Sequence, residues 1–142
     1  MSAPNPEKLT IVIASPLEDE LVDRIRAFDP QRFEVVHEPE LLATPRYVAD
    51  HNGAPRTLSA DQQARWAACL QRADILFDID RLDPVGMPIN APKLRWVQAT
   101  SSGIGEFLKR TGLENSDIAF TTASGVHARP LAEFTMLGLL YF

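Results

Sequence analysis

The chain has 142 residues, 45% of them hydrophobic and 23% charged, with a formal net charge of −5. That is enough chain for one domain with a real core, and the acidic balance argues against nucleic acid or an anionic membrane surface as a partner, since both select basic patches. The single cysteine, Cys69, excludes an internal disulfide and any multi-cysteine metal site.

Residues 1–8 are polar with two prolines, a loose lead-in. Leu9–Ala14 is a nearly continuous β-rich run, as expected of a strand buried on both faces of a parallel sheet. It is too short for a signal-peptide core or a membrane span, so a soluble cytoplasmic protein is expected. Ser15-Pro16-Leu17-Glu18 then has capping-box spacing, with serine at the N-cap, proline next and glutamate at N3. Leu17, Leu21, Ile25 and Phe28 give the following helix an apolar stripe, and Asp29-Pro30 ends it. Phe33–His37 is a second short strand, which completes a β-α-β opening and predicts parallel pairing.

Residues 38–58 are irregular, punctuated by Pro39, Pro45, Gly53 and Pro55, with a short helix expected over Leu41–Asp50. Ser59 and Gln62 repeat the capping-box spacing ahead of a helix running to Arg72, with Trp66, Leu70 and Ala73 facing inward. Cys69 on that helix reads as packing. Asp74–Ile79 is a third strand, and Asp80–Pro92 a proline-rich loop.

Two segments with one plan follow, each a short strand, a small polar loop and a helix start. The first is Leu94–Ala99, Thr100–Gly105 and a helix from Glu106. The second is Ile118–Thr121, Thr122–Val126 and a helix from Pro130. Loops that leave parallel strands and open helices are where α/β proteins bind ligands. Taken together, five strands and about four helices predict an α/β fold, a flavodoxin-like doubly wound parallel sheet between helices.

The loop Thr100–Gly105 can act as an anion site, since backbone N–H groups point out of a helix start and glycine lets a ligand approach the main chain. It also reads as a glycine-softened turn capped by Ser102. Residues 103–108 superficially suggest the dinucleotide fingerprint G-x-G-x-x-G, but Leu108 stands where the third glycine belongs. Asp78 and Asp80, ending the third strand, raise the alternative of a phospho-accepting receiver. The acidic pair and the lysine such a site needs are replaced by Ala14-Ser15-Pro16 and Thr121-Thr122-Ala123. His37 and His51 have no ligand pattern around them, and no metal is expected. His127 by itself reads as an exposed loop histidine, while Arg129 has Glu133 one turn on as a structural partner.

The blocks L-R-W-V-Q-A-T-S-S-G-I-G at 94–105 and A-S-G-V-H-A-R-P-L-A-E-F at 123–134 resemble the D-isomer-specific 2-hydroxyacid dehydrogenase family. Residues 1–93 match it only in the order of elements. The resemblance implies an oxidoreductase that moves a hydride between a 2-hydroxy or 2-keto acid and NAD or NADP. It implies that the main-chain amides of Gly103 and Ile104, with Ser102, hold the substrate carboxylate, and that His127 faces the cleft toward substrate or nicotinamide. Where the family often has aspartate, this chain has Gly105, so no side-chain role falls there.

On this reading residues 1–128 are the substrate-binding domain, and 129–142 begin the helix that crosses into a nucleotide-binding (Rossmann) domain absent from these 142 residues. The family's catalytic His, Glu and Arg lie in the later portion, so no catalytic residue is assigned here and no tight cofactor binding is expected. Leu131–Phe142 is apolar around much of its circumference, so it must fold onto its own sheet or be covered by another chain. A homo-oligomer through this helix is expected. The alternative function is a non-catalytic dimerising or regulatory module on the same scaffold.

Overall fold

Five short strands form one parallel sheet in the computed structural model, which describes residues 8–141. In chain order the elements are β1 (Leu9–Ile13), α1 (Asp19–Phe28), β2 (Phe33–Val36), α2 (Ala60–Arg72), β3 (Ile75–Phe77), α3 (Met87–Asn90), β4 (Trp96–Gln98), α4 (Gly105–Thr111), β5 (Ala119–Thr121) and α5 (Ala128–Tyr141). The strands lie in the order β2-β1-β3-β4-β5, every pair parallel. Each connection is a helical crossover or a long loop, as parallel pairing requires.

The register sorts the two faces. Ile11, Val35, Ile75, Trp96 and Ala119 align on one, and Val12, Val36, Leu76, Val97 and Phe120 on the other. The second face is the dry one. Val12, Leu76 and Val97 are fully buried there and join Trp66 and Leu70 of α2 in the main core. At about 25 cal/mol per Å² of apolar surface, each such side chain contributes about 2 kcal/mol. The α2 helix begins as its sequence predicts, with Ser59 N–H donating to Gln62 Oε1 at 3.0 Å and Gln62 N–H to Ser59 Oγ at 3.3 Å.

Against the first face lies α1. Between that helix and the strands lies an apolar groove of about 560 Å³ walled by Leu21, Phe28, Ile11, Ile75, Phe77 and Trp96. The predicted α1 stripe is displaced for this reason: Val22 is the fully buried residue, whereas Leu21 and Phe28 border the open groove. Ser15 is not the cap of α1. The helix starts at Asp19 behind Glu18, without a side-chain cap, and Ser15 is drawn into the interior at the end of β1. The helix expected over residues 41–50 is also absent, reduced to one 3-10 turn at Pro39–Leu41. Asp50 explains this, because its carboxylate accepts the N–H groups of Arg46, Asn52 and Gly53 and so stabilises a loop in place of helix bonds.

The α5 helix does not fold back onto the sheet. Every residue from Ala128 to Tyr141 is exposed, including Leu131, Phe134, Leu137 and Leu140. Phe142 lies outside the described residues.

Candidate functional site

The carboxyl ends of four strands meet at one edge, where main-chain bonds continue past the strands themselves. Ala14 N–H donates to Phe77 O at 2.9 Å, Asp78 N–H to Gln98 O at 2.8 Å, and Ala99 N–H to Thr121 O at 2.8 Å. One further bond, Ala123 N–H to Ser101 O at 3.2 Å, ties the loop after β5 to the loop after β4. The two segments that share a plan in sequence are therefore side by side in space.

The loop at 100–105 is anchored at both ends. At its start, Thr100 Oγ1–H donates to the Asp78 carboxylate at 3.0 Å, with Thr100 N–H at 3.4 Å. Near its end Ile104 is buried in the core, immediately before α4. Between the anchors Ser102 and Gly103 are exposed, and a Cβ on Gly103 or Gly105 would meet no atom within 4 Å. Among the described residues, no protein group accepts the N–H of Ser102, Gly103 or Ile104. A loop with three unengaged N–H groups and open space beside Gly103 and Gly105 can accept a carboxylate.

His127 stands in the exposed turn at 124–127, and its carbonyl accepts Leu131 N–H at 3.1 Å to open α5. The bond between Ala123 and Ser101 brings its loop, but no recorded contact of its imidazole, to the residues at 102–104. Arg129 pairs with Glu133, Nε to Oε1 at 2.8 Å, so its charge is accounted for within the helix.

Asp78 is the residue whose role at this edge goes beyond the sequence reading. It is fully buried, sits at φ 69°, and spends its carboxylate on Thr100, with the Arg81 guanidinium 3.9 Å away. A non-glycine residue in the left-handed region costs about 1 kcal/mol, and here that conformation turns the chain off β3 so that Asp78 reaches the neighbouring loop. Asp80 is equally buried. Burial pushes its carboxyl above the usual range, opposed by the N–H of Leu82 at 3.1 Å and the indole N–H of Trp66 at 3.3 Å.

Residues 103–108 do not form a dinucleotide loop. Leu108 packs against the core at the helix position where a glycine would be needed for close approach. Among the described residues no group of three or more His, Cys, Asp or Glu side chains is placed to hold a metal, and no helix is long and apolar enough to cross a membrane. Compared with known proteins, the chain matches no family model and no curated sequence.

Proposed function

We propose that this chain is the substrate-binding layer of an NAD(P)-dependent D-2-hydroxyacid dehydrogenase, built on a flavodoxin-like sheet and acting in the cytoplasm. The observation that carries the reading is the loop at 100–105, with the unengaged N–H groups of Ser102, Gly103 and Ile104 held in place by Asp78. These donors would take the carboxylate of a 2-hydroxy or 2-keto acid and so fix the orientation of its C2 carbon. The strand order β2-β1-β3-β4-β5 supports the flavodoxin-like assignment, and the exposed α5 is consistent with a helix that leaves its own domain.

The nicotinamide supplies the hydride when a separate nucleotide-binding unit holds it against the substrate. This chain's part is to bind the carboxylate and to present the loop of His127 to the cleft. Little or no turnover is expected from these 142 residues alone. Titration with pyruvate should give weak, saturable binding that Gly103→Ala diminishes. Binding unaffected by that change would overturn the assignment.

A second reading, a dimerising module, is favoured by α5 itself. Its Leu131, Phe134, Leu137, Leu139 and Leu140 are each at least 63% exposed, an apolar face of a kind monomers rarely leave open. We propose that Leu131–Phe142 meets a second copy of the chain. Tight self-association without NADH binding favours the module, and NADH binding favours a surviving enzyme site.

A further inference from the structure

Three side-chain polar atoms among the described residues are buried with no hydrogen-bond partner: Ser15 Oγ, His51 Nδ1 and Arg56 Nε. Buried polar atoms are nearly always paired, so each exception asks for a cause. Two of them, His51 and Arg56, line one cavity, and the third stands next to it in the chain. A cavity of about 310 Å³ at the carboxyl edge has His51 and Arg56 in its wall, together with Ala14 and Pro16, the two neighbours of Ser15. It lies where β1 and β3 adjoin, which is the point at which the sheet's winding reverses and where open parallel sheets bind ligands.

The wall is built rather than incidental. Asp50 gathers the N–H groups of Arg46, Asn52 and Gly53, and the Arg46 guanidinium closes on it at 2.7 Å. Gly53 has φ 65°, and a Cβ there would fall 2.5 Å from Ala43 Cβ, so the loop is pressed against the body of the domain at the cavity. The wall also has one sign of charge. Arg56 and Arg81 line it, and no carboxylate does. Two acids stand behind the arginines and share their charge with other partners: Asp78, 3.9 Å from Arg81, also accepts from Thr100, and Asp80, which acts on Arg56, also accepts from Trp66 and Leu82. Arg56 is steadied by the Trp66 ring, 5.6 Å from its centroid. The volume is at the small end of ligand cavities, about that of ten liquid waters.

We infer that this cavity binds a small organic anion, a carboxylate or a phosphate monoester, with Arg56 and Arg81 on its negative charge and His51 beside them in the wall. The site is distinct from the loop at 100–105 and does not depend on the dehydrogenase reading.

The test is a residue-resolved ¹H–¹⁵N NMR titration of the chain with inorganic phosphate and, separately, with succinate, each against sodium chloride at matched ionic strength. The expected result is saturable movement of the amides around His51 and Arg56 with one of the two anions, whether or not Ser102 to Ile104 also move. Arg56→Gln should weaken that binding about tenfold or more, the usual consequence of losing a charge-assisted contact. Arg81→Gln, at a half-exposed side chain, should weaken it several-fold and keeps the test informative if the Arg56 variant folds poorly. The inference is overturned if neither anion acts beyond chloride, if Arg81→Gln binds as tightly as the native chain, or if only the residues at 102–104 respond. That last pattern would support the 2-hydroxy acid reading alone.

Discussion

Asp78 joins the strained end of β3 to the loop proposed to hold substrate, and its removal can be worked through in magnitude. Thr100 Oγ1–H donates to it at 3.0 Å inside the protein, and a hydrogen bond to a charged acceptor contributes about 1.5–3 kcal/mol. Asp78→Ala removes that acceptor and places alanine in a left-handed conformation that aspartate tolerates better, so a loss of about 3 kcal/mol is expected. Asp78→Gly loses the same bond but relieves the backbone by about 1 kcal/mol, giving about 2. Asp78→Asn keeps an acceptor and a residue suited to φ 69°, and should lose only about 1 kcal/mol. With an unfolding entropy of about 0.3 kcal/mol/K for 142 residues, the expected drops in Tm are about 10, 7 and 3 °C. Thermal denaturation followed by circular dichroism reads all three. An Asp78→Ala protein within a degree of native, or an Asn variant worse than the Ala variant, would refute the role assigned to this side chain.

Gly103→Ala should leave Tm within a degree or two, because the added methyl meets open space, yet weaken pyruvate binding by calorimetry. Gly53→Ala should lower stability by about 2 kcal/mol or more through its positive φ and its contact with Ala43, measured by urea unfolding. Asp50 is held below the usual carboxylate range by the Arg46 guanidinium and the N–H groups of Arg46 and Gly53. Its stabilising effect should therefore be complete above about pH 4 and fade as pH falls from there through its lowered folded-state pKa, a slope that Asp50→Asn should remove from an acid-unfolding curve. Substituting Lys for Leu137 on exposed α5 should shift a dimer to monomer in analytical ultracentrifugation, and a native chain that is already monomeric would remove the dimer proposal.

The sheet was readable because each strand is a short apolar run between clear punctuation, and the β-α-β opening leaves parallel pairing as the simple solution. The start of α2 was readable because Ser59 and Gln62 satisfy each other locally. The same spacing misled at Ser15, where burial of the β1 end outweighed the cap and turned the serine inward. Asp50 had no signal beyond a proline-broken stretch, since its effect comes from a side chain folding back on its own loop. The loop at 100–105 was found from its place between strand and helix, but its anchor, Asp78, lies 22 residues earlier and needed the sheet order to be seen. The cavity lined by His51, Arg56 and Arg81 is assembled from separate segments with no spacing rule, so only the folded chain brings it into view.

The most direct measurement of the central proposal is the amide spectrum of this chain as pyruvate is added. The expected result is saturable movement of Ser102, Gly103 and Ile104 at millimolar ligand, weakened in Gly103→Ala. A spectrum in which those three amides stay fixed at every concentration would contradict the assignment of this loop as the carboxylate site, and the interaction-module reading would take its place.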